Sequence, residues 1–253
     1  MRHDGPDADV QNCWLCPHRG HCGLSELLHA AGLQDSARVC LSEYPAGATI
    51  PMETGHIYAV RSGAVKVVWT EGQNRSHVLD FCFSGRLLGL ESSLGLEARS
   101  RRHVVLQWTR VCALACGDVA GAGVPCGLLA AKLAGNIMPV WARTRSMLAG
   151  ASERVAAYLV KVFDESGERG ARVPAPLPSV SRTDIADYLG LRGESVSRAL
   201  GEFRAAGWIR GAVETLEVVC PDPLRALAAS ADRAGGHAQR NQQRKHEPRE
   251  AQG

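Results

Sequence analysis

The sequence predicts an α+β chain in which a cysteine-bearing segment, a small β-roll, a long helix and a winged helix-turn-helix follow one another. Three observations predict it. Cys13, Cys16 and Cys22 form a C-x2-C-x5-C pattern near the N-terminus. Short runs rich in β-branched and aromatic residues recur between turn dipeptides through residues 41–126. Residues 181–209 carry apolar positions at helical spacing on both sides of a glycine. The chain is thereby expected to divide into residues 1–40, a cysteine segment; 41–126, a β-roll; 127–150, a dimerisation helix; 151–228, a winged helix-turn-helix; and 229–253, a disordered basic tail.

Composition sets the outer limits. A chain of 253 residues with 45% hydrophobic content holds two domains with real cores. A net charge of +3 neither demands nor opposes a nucleic-acid partner. Nothing in the sequence approaches the roughly 18–20 apolar residues of a membrane span. The polar, acidic start MRHDGPDADVQNC is unlike a secretory signal, so a cytoplasmic protein with no membrane partner is expected. In that compartment nine cysteines stay reduced, and ligand or redox roles outrank disulfides.

The cysteine segment is read as having little core of its own, so three clustered thiols point to metal chemistry rather than packing. Thiolates suit zinc or an iron–sulfur cluster, and the spacing ranks the two equally. In CPHRGHC, His18 or His21 could complete an all-local zinc site with the three cysteines. A fourth thiolate would have to come from Cys40, Cys82, Cys112, Cys116, Cys126 or Cys220. Most of these six are expected to be small buried hydrophobes.

In the β-roll, HIYAV (56–60), AVKVVW (64–69) and HVLDF (77–81) read as strands. Ser62-Gly63, Glu71-Gly72-Gln73-Asn74 and Ser84-Gly85 read as turns, with Arg61-Ser62-Gly63 at a hairpin corner. Beyond Cys126, Leu133, Ile137, Val140 with Trp141, and Met147 with Leu148 form an apolar helical stripe suited to pairing with a second copy. Pro139 lies inside it, disturbs the carbonyl of Gly135, and predicts a kink.

A helix over about Ser152 to Glu165 opens the last domain, and a proline-rich loop (Pro174, Pro176, Pro178) follows. Ser181 caps the first helix of the reader, with Asp184 three residues on. Gly190 supplies the turn, and the second helix runs from Gly193 to Ala205 with Val196, Leu200 and Phe203 inward. Glu194, Ser197 and Arg198 are left near its start on the outer face. There an arginine can grip guanine O6/N7 and a carboxylate can accept from cytosine N4, which implies double-stranded DNA as partner. Readers of this kind work in pairs about one DNA turn apart, so a homodimer is expected. The runs near Val213 and Leu216–Val219 suggest a wing, ended by Pro221 and Pro223.

In this order the elements resemble the CRP/FNR superfamily, and specifically its FNR branch of oxygen-responsive regulators, over residues 13–228. The cysteine triplet, TRVCAL (109–114), and TDIADYLGL followed by ESVSR carry the resemblance. It implies a cyclic-nucleotide-binding-like β-roll acting as the sensor and a [4Fe–4S] cluster held by Cys13, Cys16, Cys22 and Cys112. It also implies base contacts from Glu194, Ser197 and Arg198 to a TTGAT-like half-site, RNA polymerase as a partner, control of anaerobic or microaerobic genes, and no enzymatic activity. Cys116, four residues past Cys112, is the rival fourth ligand.

The chain departs from that family at three places. Arg192 stands where the reader helix often has a hydroxyl cap, and could reach a phosphate instead. His21 replaces a bulky apolar residue before the third cysteine. No Asp or Glu lies between Asp118 and Glu153, where the family carries a repelling acid, so a more persistent dimer is expected. The alternatives are the same scaffold with structural zinc, or with another effector such as a cyclic nucleotide or nitric oxide. A cyclic-nucleotide pocket is disfavoured by Ser84-Gly85-Arg86-Leu87, which stands where a Gly-Glu step is required. A redox enzyme lacks a dinucleotide fingerprint, a P-loop or an acid/base pair.

Overall fold

The computed structural model describes residues 9–33, 35–71, 75–93, 101–117, 124–147, 149–166, 177–212 and 215–230. It divides into two compact units, Met1–Val140 with Pro178–Val180, and Trp141–Leu177 with Ser181–Gly253.

The first unit holds two antiparallel sheets. One contains β1 (Asp9–Gln11), β2 (Val39–Tyr44), β4 (His56–Ser62), β7 (Leu87–Leu88) and β9 (Thr109–Ala115) in the order β1-β2-β9-β4-β7. The other contains β3 (Thr49–Ile50), β5 (Val65–Glu71), β6 (Arg75–Cys82) and β8 (Arg101–Val105) in the order β3-β8-β5-β6. Alternation along β9 explains the packing: Cys112 and Leu114 face one core with Ile57, Ala59 and Val39, while Val111 and Ala113 face another with Tyr58, Val60 and Val65. A sheet buried on both faces reads as a nearly unbroken apolar run, as HIYAV does.

The corner at Arg61-Ser62-Gly63 corrects the sequence reading. β4 pairs with β7 and β9, and β5 pairs with β6 and β8, so this turn passes the chain between sheets and closes no hairpin. A second correction concerns the cysteine segment. Helix α1 (Gly23–Ala30) buries Leu24, Leu27 and Leu28 completely, at the i, i+3, i+4 spacing of a packed helical face. The segment therefore packs into a core that it shares with the sheet. A third concerns the spare cysteines: Cys82 is buried, but Cys126 and Cys220 are exposed, and all nine are free thiols.

A short helix α2 (Leu90–Ser93) follows β7, and the long helix α3 spans Cys126–Ser146. Leu128, Leu129 and Leu133 of α3 pack against the core that holds Cys13 and Cys112. The backbone remains helical through Pro139, and the boundary between the two units falls just beyond it, between Val140 and Trp141. The side chains of Ile137, Val140, Trp141 and Leu148 in the expected stripe lie outside the described residues.

In the second unit, α4 (Ala151–Ser166), α5 (Arg182–Leu189) and α6 (Gly193–Ala205) precede a two-stranded sheet of β10 (Ile209–Arg210) and β11 (Glu217–Val218). This is the expected wing, with Val213 outside the described residues. The expected stop at Pro221 and Pro223 is overturned, because residues 221–230 form a further helix, α7. Proline fits the first turn of a helix, where its missing N–H has no intrahelical partner anyway. Leu224 is fully buried, and Arg225 binds Asp164 of α4 at 2.8 Å. The tail beyond residue 230 lies outside the described residues.

Candidate functional site

Three of the four proposed cysteines arrive on one compact segment. β1 fixes its start by pairing Val10 with Cys40 of β2. Cys13 opens a single 3-10 turn, and Cys16 donates its N–H to the Cys13 carbonyl at 3.2 Å. Cys22 stands at the N-cap of α1, and its carbonyl accepts from Glu26 at 3.1 Å. Cys112 comes from the middle of β9, with Leu41 of β2 on one side and Ala59 of β4 on the other. Its face of the sheet is the one against which Cys13 and Cys22 pack.

Burial first, then the neighbouring Cys22, Cys13 and Cys16, pushes the Cys112 thiol up to about 12. Cys13 is pushed up to about 11, by burial first and then by Cys22 and Cys16. Burial also raises Cys22, against backbone hydrogen bonds from Ser25 and Leu24 that favour its thiolate. The four sulfurs therefore share one electrostatic neighbourhood, and four thiolates persist there only if a bound cationic centre offsets their charge. Cys116 lies past the end of β9, gives its N–H to Gly55 at 2.7 Å, raises the Tyr58 pKa, and packs, partly buried, against the same core as Cys13 and Cys112. His18 and His21 meet edge to face at 5.6 Å. Among the described residues no three His, Cys, Asp or Glu side chains are arranged to hold a single metal ion.

Two residues at this site escaped the sequence reading. Arg61, taken there as turn material, lowers the pKa values of both Cys13 and Cys112, opposing burial. Strand alternation pointed to it, since Ile57 and Ala59 on the same strand face the cysteine core. Gly85 has φ +87°, and a Cβ there would stand 2.2 Å from the His21 carbonyl oxygen. The 84–85 turn thus packs backbone to backbone on the cysteine segment, with Gly23 N–H donating to Gly85 O at 2.9 Å.

A cavity of about 400 Å³, open to solvent, lies between the β-roll and α3, lined by Asp80, Arg86, Glu91, Arg101, His103 and Asn136, among others. Arg86 donates to Asp80 at 3.2 Å, and Arg101 lies 3.8 Å from Glu91. His103 is 7% exposed and its Nδ1 has no partner among the described residues. Burial, then Arg101, holds its pKa down at about 4.

In the reader, the Ser181 hydroxyl accepts the Asp184 N–H at 3.0 Å, and Gly190 takes φ +62° at the end of α5. Arg192 occupies the N-cap of α6 without a side-chain cap bond. Glu194 and Arg198 are both exposed and pair across one turn at 3.0 Å, while Ser197 is half-buried on the same helix. The pair holds a carboxylate and a guanidinium side by side on the solvent face, the two chemistries that read cytosine and guanine edges.

Residues 153–227 match the Crp-like helix-turn-helix domain. The chain is 31% identical over 180 residues to the nitrogen fixation regulation protein FixK of Rhizobium meliloti (strain 1021), covering 67% of this chain and 77% of that protein. It is 26% identical over 185 residues to the fumarate and nitrate reduction regulatory protein of Escherichia coli (strain K12), covering 70% and 72% respectively. Among solved structures it is similar to FixK2 from Bradyrhizobium japonicum, with a TM-score of 0.62, 26% identity, and coverage of 75% of this chain and 96% of that one.

Proposed function

The chain belongs to the CRP/FNR family of DNA-binding transcription regulators, and from that premise we propose that it answers to oxygen through a [4Fe–4S] cluster held by Cys13, Cys16, Cys22 and Cys112. The observation that carries the reading is the meeting of Cys112 with the cysteine segment on one buried face of the sheet. The donor set fits the group: all four are thiols, the ligands such clusters take. A four-iron cube also holds its thiolates farther apart than a single zinc ion does, with Zn–S bonds of ~2.3 Å. When bound, the cluster would supply oxidisable iron and sulfide, held by the four thiolates, on which oxygen could act as the oxidant.

The protein's own residues carry the consequence to DNA. Cys22 starts α1, and α1 buries Leu24, Leu27 and Leu28 in the same core as Leu128, Leu129 and Leu133 of α3. Glu26 of α1 accepts a hydrogen bond from Lys132 of α3. An ordered cysteine segment thereby supports the first turns of the helix that would pair two copies. Two linked readers bind a palindrome far more tightly than one. Glu194, Ser197 and Arg198 would face the bases of a TTGAT-like half-site, Arg192 a phosphate, with RNA polymerase as the further partner in the cytoplasm. Iron and acid-labile sulfide after anaerobic purification test the reading. About four of each per monomer, with absorption that bleaches in air, is expected; zinc without iron overturns it. Lacking an acid in α3, the cluster-free protein should still sediment as a dimer, and a clean monomer would contradict that.

A second reading, an effector seated in the β-roll, draws on the cavity and the unpartnered Nδ1 of His103. Saturable binding of a cyclic nucleotide by calorimetry would establish it.

A further inference from the structure

Arg154 sits where a cation is out of place. It occupies the first turn of α4, beside Glu153, whose carboxylate accepts the Gly150 N–H at 2.7 Å as the helix dipole favours. A positive charge in that turn faces the positive end of the dipole. The side chain resolves this by donating to three backbone carbonyls: Nε to Ala149 at 2.9 Å, Nη1 to Leu189 at 3.2 Å, and Nη2 to Met147 at 2.6 Å.

Two of these carbonyls, those of Met147 and Leu189, stand at helix C-termini. Met147 directly follows α3, Ala149 lies in the joint between α3 and α4, and Leu189 is the last residue of α5. Carbonyls at helix C-termini lack intrahelical donors and sit at the negative end of the dipole. The planar guanidinium supplies several N–H groups in fixed directions, which an ammonium does not. The Met147 methyl also lies 3.7 Å from the position a Cβ on Gly190 would take, so it reaches the turn between α5 and α6. All of these residues fall within the unit that begins at Trp141.

We propose that Arg154 is a positioning residue for DNA recognition: it ties the turn that aims α6 to the C-terminal end of the long helix. The last turn of α3 and the helix-turn-helix then act as one piece, and the separation of two readers in a dimer depends on that tie. This rests on the family's DNA-binding role but not on the cluster.

The test uses the full-length protein and the palindrome that the wild type selects from random duplexes. Affinity is measured for that palindrome and for versions with one base pair added or removed between the half-sites. The wild type should lose about tenfold or more on either change. Arg154→Met, which keeps the stem and removes the donors, should bind the original site about tenfold more weakly. It should also lose most of its preference among spacings, with wild-type iron content and sedimentation. A general loss of stability would weaken all three duplexes alike, so an undiminished spacing preference overturns the proposal. If Arg154→Met does not fold, Arg154→Lys decides: partial relaxation of spacing supports the tie, and a wild-type profile overturns it. A wild type that selects no palindrome would instead overturn the dimeric DNA-binding reading beneath it.

Discussion

In the reader, every residue proposed to meet DNA falls between Arg192 and Arg198, at the start of one helix that follows directly on the Gly190 turn. The cysteine site takes three residues from one segment and the fourth, Cys112, from the middle strand of a sheet formed far along the chain. The first depends on local backbone chemistry, and the second on how distant strands and α1 pack. Damage to the reader should therefore remain local and selective. Damage at the cysteine site should spread through the core it shares with α3.

The largest expected effect sharpens this contrast. Cys112→Ser should lose essentially all iron, while Cys116→Ser should retain it, as measured by iron and sulfide content under anaerobic conditions. Equal retention by both variants would break the assignment of the fourth ligand. Gly85→Ala comes next, because the methyl meets the His21 carbonyl in a positive-φ turn. It should destabilise the first unit by about 3 kcal/mol in urea unfolding and reduce cluster loading with no cysteine touched. Arg198→Ala should cost about 2 kcal/mol in specific binding by fluorescence anisotropy, relax selectivity at one base pair, and leave iron content unchanged.

Acid separates the two units further. Because burial holds His103 at about 4 in the folded state, below its ordinary 6.5, the unfolded chain takes up the proton first as the pH falls. Its contribution to stability is complete above about pH 6.5 and is lost progressively toward pH 4. The β-roll should lose about 2 kcal/mol between pH 7 and pH 5, a loss that His103→Gln should remove. Hydrogen exchange should show the reader unaffected by that substitution. The smallest effect is that of Ser181→Ala, which removes one cap and should lower reader stability by about 1 kcal/mol in thermal unfolding.

What could be read in advance follows the same division. Gly193–Ala205 matches its sequence reading because a turn glycine and a helical stripe act within a few residues. The strands from His56 to Cys82 were equally legible in their β-branched content, but the partner of each strand was not, and so a passage between sheets read as a hairpin. Helix α1 was hidden by its own cysteines: Leu24, Leu27 and Leu28 carry the right spacing in too short a run. Pro221 and Pro223 marked a terminus by composition, yet proline is equally at home in a first turn. Arg61 was within reach of strand parity, whereas Lys132 with Glu26, and Arg154 with its carbonyls, depend on packing that no local pattern encodes.

Strand β1 has a consequence for how a cluster-free regulator should be made. It hydrogen-bonds along β2, pairing Asp9 with Leu41 and Gln11 with Val39, and so occupies what would otherwise be the rim of the five-stranded sheet. Cutting the chain after Cys22 would remove the three thiols and bare that rim together. Val39, Cys40 and Leu41 would then offer an unpaired apolar edge, the template on which chains add to one another as aggregates. Replacing the cysteines one by one keeps the rim covered, so loss of the metal can be studied in a protein that stays in solution.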